Sequence, residues 1–262
     1  MNQKDLNVII IGGDPKLSDP KSAVSLRLAS YGVLANKIFI IVSANGEEYK
    51  LAENVFVYPI GRGLPFLRVK TIVKKAQKII FDNSLNSKNT IITTQDPFDT
   101  GLAGTAIKKK FHFPLEMQIH GDIMSPWFRK QSLLHKIRIP IARKVLRGAD
   151  RVRVVSNIVG ESILNIVPKD KIYVLPITIR KELDYGNRSF LPNKYPGFGL
   201  IILTIARLEP EKNIEQSLRL LKNILTIEPR AGLVILGDGS QRKNLEKLSY
   251  KLKVRDHVAF EG

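Results

Sequence analysis

The chain has 262 residues, 44% hydrophobic and 25% charged, which is typical of a folded globular protein and excludes wholesale disorder. Its 42 Lys and Arg against 24 Asp and Glu give a formal net charge of +18, which favours anionic partners, with a solvated basic surface as the alternative. The lack of cysteine excludes disulfides, thiolate catalysis and cysteine-ligated zinc.

The first predicted strand is the β-branched run Asn7–Ile11, which ends in a glycine turn at Gly12 and Gly13. Apolar runs then recur, mostly separated by segments long enough for helices. Alternation of this kind predicts an α/β fold with a parallel sheet. The further strands are expected at Lys37–Ser43, Asn54–Tyr58, Thr90–Thr94, Leu115–Ile119 and Arg151–Val155.

Pro176–Gly199 is rich in Pro and Gly, has little periodicity and is interpreted as a linker. Two Rossmann-like domains with a cleft between them are therefore predicted, at residues 1–180 and 181–262. A doubly wound domain normally has five or six strands, so the second, with three, is expected to be incomplete. Its predicted elements are strand Leu200–Ala206, helix Asn213–Ile227, strand Ala231–Leu236, helix Ser240–Leu252 and strand His257–Glu261.

Two cations, Arg207 and Lys212, lie in the predicted turn between the strand that ends at Ala206 and the helix that begins near Asn213. A helix N-terminus presents free N–H groups and partial positive charge, so two cations beside it favour a diphosphate site. We expect both to converge on one anion. The alternative is that they are ordinary exposed surface charges.

The segment that contains these cations resembles a known family. Ala206-Arg-Leu-Glu-Pro-Glu-Lys-Asn213 is similar to the start of the C-terminal domain in glycosyltransferase family 4, the retaining GT-B enzymes, whose hallmark is Gly-Arg-Leu, two spacers and Glu-Lys-Gly. Ala206 and Asn213, a small residue and a good helix starter, replace the glycines. The resemblance continues in order through Leu233–Gly239, then Leu245 and Leu248, then Val258–Gly262.

The resemblance implies a GT-B-like glycosyltransferase of hexosyltransferase type that takes sugar from a nucleotide-diphosphate donor. It implies retention at the anomeric carbon and a role in cell-envelope polysaccharide, lipopolysaccharide or glycolipid synthesis. The donor would be the co-substrate, without another cofactor, and a saccharide or lipid-linked molecule would be the acceptor. The donor-binding residues would be Arg207, Lys212, Gly237, Asp238 and Gly239.

In this family the charge of the departing nucleotide diphosphate is stabilised by cations, so Arg207 and Lys212 are also expected to be catalytic. No Asp-x-Asp occurs in the chain, which fits GT-B enzymes, and no metal is expected. The family's paired glutamates would lie beyond Gly262. We therefore expect a fragment of a longer reading frame or a truncated, inactive relative.

In the N-terminal domain, His120 ends a predicted parallel strand, where ligands bind, and resembles the family's histidine that faces the donor sugar. It is the third expected catalytic residue, with a hydrogen-bonded loop histidine as the alternative. Gln95 and Asp96 follow another strand, and capping of the next helix by Asp99 or Thr100 is the competing interpretation there. The acceptor-side candidates are Gly13, Gln95, Asp96 and Asp122.

The segment Trp127–Arg153 concentrates positive charge beside an apolar stripe of Leu133, Leu134, Ile137, Ile141 and Val145. A basic amphipathic helix with aromatics at its end suits an anionic membrane surface, and Pro140 would kink it. The alternative is a helix that packs its stripe on the sheet. With no membrane-spanning run and no secretion signal, a cytoplasmic protein is predicted, with the inner membrane face as a candidate location.

Two other classes compete with this interpretation. The charge would suit a nucleic-acid-binding protein, but no recognition motif occurs and aromatics are 7%, so no nucleic acid is expected. A nicotinamide-dependent oxidoreductase would need a complete dinucleotide fingerprint. Neither Gly12-Gly13-Asp14 nor Gly237-Asp238-Gly239 supplies one.

Overall fold

The computed structural model describes residues 5–12, 14–177 and 194–262, with the side chains of residues 65, 66 and 131 outside the description. The chain forms two compact units, residues 1–178 and 179–262. The predicted boundary between residues 180 and 181 lies outside the described residues, as does Gly13. Each unit is a layered α/β structure with its own sheet.

In the described part of the first unit, one sheet has the strand order β3-β4-β2-β1-β5-β6-β7-β8, parallel except that β3 pairs antiparallel with β4. The strands are β1 (Asn7–Gly12), β2 (Lys37–Val42), β3 (Tyr49–Ala52), β4 (Val55–Pro59), β5 (Thr90–Thr94), β6 (Leu115–Ile119), β7 (Arg151–Val154) and β8 (Ile172–Val174). The helices are α1 (Ala23–Ser30), α2 (Pro65–Asp82), α3 (Asp99–Phe111), α4 (Pro126–Gln131), α5 (Leu133–Arg147) and α6 (Asn157–Glu161).

The central strands of this sheet are covered on both faces. Ile9 and Phe39 belong to a core cluster with Ile72 of α2 and Ile107 of α3, whereas Ile40 belongs to a second cluster that includes Leu28 of α1. Burial on both faces explains why β1 and β2 are continuous apolar runs without alternation. The carboxyl ends of the parallel strands lie at one edge, where the site candidates follow them.

The six predicted strands and their parallel arrangement are confirmed in the first unit. Sequence reasoning missed β3 and β8. Both are short edge strands without a fully buried residue, so neither shows the apolar run or strict alternation that marks a strand.

The described part of the second unit has a separate parallel sheet of order β11-β10-β9. Leu218 and Leu221 of the first helix and Leu245 of the second pack against Leu233 and Ile235 of the central strand, as the helical spacing predicted. The restart of the βα pattern in a second sheet is confirmed, and the cleft stays a prediction. The elements are β9 (Leu200–Ile205), α7 (Ile214–Ile224), β10 (Ala231–Leu236), α8 (Arg242–Lys251) and β11 (Val258–Phe260).

Candidate functional site

In the second unit, the loops that follow β9 and β10 are joined by backbone hydrogen bonds at the carboxyl ends of the strands. Leu208 N donates to Asp238 O (2.9 Å), and Gln241 N donates to Leu208 O (2.9 Å). The Leu208 side chain is fully buried in the core cluster of this unit. The two loops that carry the predicted donor-binding residues therefore form one structural element.

Glu209 adds a side-chain link between the same loops. Its carboxylate accepts hydrogen bonds from Ser240 Oγ (2.7 Å) and Ser240 N (3.1 Å). These bonds, the side-chain one first, lower the pKa of Glu209 below its usual value. Sequence reasoning missed this pair because Glu209 occupies a spacer position of the family hallmark and its partner lies far along the chain.

Gly237 and Gly239 have a packing role beyond the donor contact expected of them. Gly237 has φ +135°, and a Cβ there would overlap the carbonyl oxygen of Ala206. A Cβ on Gly239 would lie 2.6 Å from the Leu208 carbonyl oxygen and 2.8 Å from Glu209 Oε1. Both glycines let the loops approach each other. Their contact with a donor stays a prediction.

Arg207 and Lys212 both lie in the loop between β9 and α7. Arg207 is 71% exposed at its side chain, and its Nη2 lies 3.2 Å from Glu211 Oε1. Lys212 is exposed and ends a short 3-10 turn at Pro210–Lys212. The structure thus puts both cations in front of α7, and their convergence on one anion stays a prediction.

Asn213 is the residue that joins this turn to α7, and it adopts the left-handed conformation (φ 48°, ψ 42°). Glycine is favoured in that region and Asn is among the side chains that tolerate it best. Asn213 is the N-cap residue of α7, in agreement with the expectation of a helix starter, but its side chain makes no capping hydrogen bond. Its backbone conformation explains why Asn replaces the family's glycine.

In the first unit, His120 follows β6 and is exposed. Loss of water around the ring, with the positive charge of Arg153 as the smaller cause, lowers the pKa of His120 below its usual 6.5. Arg153 is held on β7 by hydrogen bonds from Nη1 to Gln118 Oε1 (3.4 Å) and from Nη2 to Leu175 O (3.3 Å). His120 is therefore mainly neutral at pH 7, whereas its catalytic role stays a prediction.

Asp96 organises the loop between β5 and α3. Its Oδ1 accepts a hydrogen bond from Phe98 N (2.7 Å), and Thr100 Oγ1 donates to its carbonyl oxygen (2.9 Å). Burial, the largest cause, raises the pKa of Asp96 above its usual value. The alternative, that Asp99 or Thr100 caps α3, is wrong. Phe98 is the residue before this helix, and no side chain makes a capping hydrogen bond to it. Asp99 instead pairs with Arg68 (3.3 Å).

The other acceptor-side candidates end neighbouring strands. Gln95 directly follows β5, and its backbone N donates to Ile11 O (3.0 Å) at the end of β1. Asp122 lies after β6, where Oδ1 accepts from Met124 N (3.0 Å). Asp96 and Asp122 thus hold local turns, which does not test acceptor contact, and Gly13 lies outside the described residues.

The basic segment 127–153 contains α4, α5 and the start of β7. The apolar stripe of α5 is divided: Val145 is 2% exposed, whereas Leu133 is 76% and Ile137 is 61% exposed. Trp127 on α4 is 68% exposed. The packing interpretation is confirmed only for the C-terminal half of α5, and the membrane interpretation stays a prediction for the exposed half.

Comparisons with known protein families agree with this geometry. A model described as Glycosyltransferase Family 4 matches residues 29–182, which is more than half of the chain. A model described as Glycosyl transferases group 1 matches residues 192–262. Each match covers most of one structural unit.

Two curated relatives are longer than this chain. The chain is 27% identical over 186 residues to alpha-monoglucosyldiacylglycerol synthase of Streptococcus pneumoniae, covering 66% of this chain and 42% of that protein. It is 32% identical over 133 residues to the GDP-mannose-dependent alpha-(1-6)-phosphatidylinositol monomannoside mannosyltransferase of Mycobacterium tuberculosis, covering 47% and 34%. The chain thus spans less than half the length of these relatives.

Solved structures support the fold. Sucrose-phosphate synthase from Thermosynechococcus elongatus superposes with a TM-score of 0.75 at 15% identity, covering 98% of this chain and 70% of that one. Anabaena HepE in complex with UDP-glucose gives a TM-score of 0.70 at 16% identity, covering 98% and 69%. At these identities the likeness shows the GT-B fold alone.

Proposed function

The chain belongs to glycosyltransferase family 4, and we propose that it transfers a sugar from a nucleotide-diphosphate donor to an acceptor hydroxyl. The observation that carries this proposal is the joined pair of loops in the second unit. They place Arg207 and Lys212 ahead of the N-terminus of α7, at the carboxyl end of β9. Ligands bind at such strand ends in open α/β sheets, and free N–H groups with fixed cations suit a diphosphate.

In the proposed reaction, the bond between the sugar C1 and the β-phosphate oxygen breaks, and the nucleoside diphosphate leaves with the electron pair. The acceptor oxygen forms the new bond to C1, and its proton passes to the departing phosphate or to solvent. Arg207 and Lys212 stabilise the charge that develops on the leaving group. Retention follows the family resemblance, and the two cations make a metal unnecessary for this stabilisation.

The first unit would supply the acceptor side. A neutral His120 ring can both donate and accept a hydrogen bond, which suits a sugar hydroxyl. Asp96 would contact the acceptor, because it lies in the loop at the carboxyl end of β5, and burial raises the pKa of its carboxyl group, as is common for groups at functional sites. Gln95 and Asp122 would line the same strand ends.

The names of the relatives guide the substrate class. One is a glucosyldiacylglycerol synthase, one uses GDP-mannose on a phosphatidylinositol mannoside, and one solved neighbour holds UDP-glucose. We therefore propose a hexose donor and a lipid-linked or saccharide acceptor of the cell envelope. Among the described residues, no group of three or more His, Cys, Asp or Glu side chains is arranged to hold a metal ion.

The test is transfer of radiolabelled sugar by the complete product of the gene. UDP-glucose, GDP-mannose and ADP-glucose are offered with diacylglycerol and oligosaccharide acceptors, in chelator or with added Mg²⁺. We expect transfer, or slow donor hydrolysis, in chelator with at least one donor. Activity only with Mg²⁺ would contradict the proposed metal independence, and inert protein with every donor would contradict the function.

We also propose that the exposed half of the basic segment binds an anionic membrane surface. Trp127, Leu133 and Ile137 are exposed, and Arg129, Lys130 and Lys136 lie on the same two helices. This combination of apolar and basic side chains is typical of interfacial helices. No helix in the described ranges is long and apolar enough to cross a bilayer.

Cosedimentation with vesicles tests this surface. We expect binding to phosphatidylglycerol vesicles, weak binding to phosphatidylcholine, and about a tenfold loss with Ile137→Asp, because one aliphatic side chain contributes about 1.5–3 kcal/mol when buried. Ile227→Asp is the control, since Ile227 is 86% exposed but lies in the second unit. Equal losses in both variants would contradict the assignment.

A further inference from the structure

A second basic site lies in the first unit, and its lining residues are not among those that the family resemblance names. It is a pocket of about 320 Å³, and Pro15, Ser43, Arg62 and Arg68 line it. These residues follow β1, β2 and β4 and begin α2. The pocket therefore opens at the carboxyl ends of parallel strands, where ligands bind in folds of this type.

Backbone hydrogen bonds hold the walls of this pocket in place. Ser43 N donates to Gly12 O (3.2 Å), which ties the end of β2 to the end of β1. Ile60 N donates to Val42 O (3.0 Å) and Gly61 N to Ala44 O (2.9 Å), so the chain leading to Arg62 runs beside β2. Arg62 and Ser43 are thus brought to one pocket by the sheet order and not by sequence proximity.

Two polar atoms in the pocket wall are buried without a hydrogen-bond partner among the described residues. Ser43 is 8% exposed and its Oγ has no partner, and Arg68 Nε is also buried and unpaired. A buried polar atom left unpaired costs about 1–3 kcal/mol. An unpaired buried polar atom in a pocket wall can take a partner that the protein does not supply, such as a ligand.

The charge of the pocket is positive. Arg68 pairs with Asp99 (3.3 Å) and donates from Nη2 to Gly63 O (3.2 Å), so its guanidinium is fixed. Arg62 is exposed and forms no ion pair within the described ranges. The pocket thus has two arginines in its wall and lies beside the N-terminus of the 18-residue helix α2, whose first turn has no acidic residue.

We propose that this pocket binds a phosphoryl group of the acceptor. A guanidinium offers paired donors that match phosphate oxygens, and a serine hydroxyl adds a further donor. The role of the phosphate as part of an acceptor rests on the proposed glycosyl transfer, whereas phosphate binding itself does not. The group is a phosphodiester if the acceptor is a lipid headgroup and a phosphomonoester if it is a soluble sugar phosphate.

The test is titration of inorganic phosphate into the ¹⁵N-labelled protein with saturating UDP, which occupies the proposed donor site. We expect shifts at the Ser43 amide and the Arg62 Nε, and phosphate binding at least about tenfold weaker in Arg62→Gln, because hydrogen bonds to charged groups contribute about 1.5–3 kcal/mol. Arg27→Gln is the control, as Arg27 is exposed on α1 outside the pocket.

The Ser43→Ala variant distinguishes a role of this hydroxyl in phosphate binding from a role in folding. If the hydroxyl is reserved for a ligand, this variant weakens phosphate binding but does not lower the melting temperature, because it removes an unpaired buried group. A lower melting temperature with unchanged phosphate binding would overturn the inference. So would shifts confined to other residues, or equal losses in Arg62→Gln and Arg27→Gln.

Competition experiments identify the source of the phosphate, and a comparison with nucleotide binding distinguishes failure of this inference from failure of the proposed function. Competition by glycerol 3-phosphate supports a soluble phosphomonoester, and competition by phosphatidylglycerol vesicles supports a lipid headgroup. Competition by neither would overturn the acceptor role. Phosphate binding at Ser43 and Arg62 without any nucleotide binding would contradict the proposed function and leave the pocket standing, whereas nucleotide binding without phosphate shifts would overturn the pocket alone.

Discussion

Replacing Arg207 or Lys212 with Ala is expected to lower kcat/KM for sugar transfer by about 10²–10³-fold, the effect measured for groups that stabilise charge in a transition state. The loss should appear mainly in kcat, because the charge on the leaving diphosphate grows as the bond to C1 breaks. Folding should not suffer: the Arg207–Glu211 pair is exposed, and exposed pairs contribute little to stability.

The matched control for this prediction is Arg219→Ala. Arg219 forms the same kind of pair with Glu215, four residues away, with Arg219 Nε 3.0 Å from Glu215 Oε1, but it lies further along α7. We expect this variant to retain nearly full activity. A similar loss of activity in Arg219→Ala and Arg207→Ala would show that overall positive charge, and not the loop, is responsible.

Gly237→Ala is expected to destabilise the second unit by about 2–6 kcal/mol. About 1–3 kcal/mol comes from forcing a side chain into φ +135°, and a similar amount from overlap with the Ala206 carbonyl oxygen, which is backbone and cannot rotate away. The hydrogen bond from Gly237 N to Gly262 O (2.8 Å) limits relaxation further.

Denaturant unfolding of the purified variants measures this effect. Gly197→Ala is the control, because a Cβ there meets nothing within 4 Å and its φ is not in the left-handed region. We expect the control to lie within about 0.5 kcal/mol of the unsubstituted protein. A Gly237→Ala variant as stable as the control would contradict the close approach of the two loops.

The fold was predictable where local patterns reflect burial. Continuous apolar runs predicted β1 and β2, because both faces of these strands are covered. The spacing of Leu218 and Leu221 predicted the buried face of α7. The edge strand β3 was missed because it is antiparallel, four residues long and without a buried residue. Its formation depends on pairing with β4, which no pattern within its own residues encodes.

The candidate site was predictable where its residues are contiguous. Arg207 and Lys212 lie five positions apart in one loop, so a motif could reveal them. Glu209 and Ser240 meet across two loops, and Ser43 and Arg62 meet through the sheet order. Partners from separate segments become visible only once the strands are arranged. Asn213 shows a third case, in which the residue was noticed but its backbone conformation was not foreseen.

The most direct measurement is a titration of UDP, GDP and ADP into the ¹⁵N-labelled protein in chelator, followed by NMR. The proposed donor site predicts that at least one nucleotide shifts the amides of Arg207, Lys212, Gly239 and Ser240, and that the Lys212→Ala variant loses those shifts. Saturating nucleotide that leaves these four amides unmoved, or that moves them only with added Mg²⁺, would contradict it.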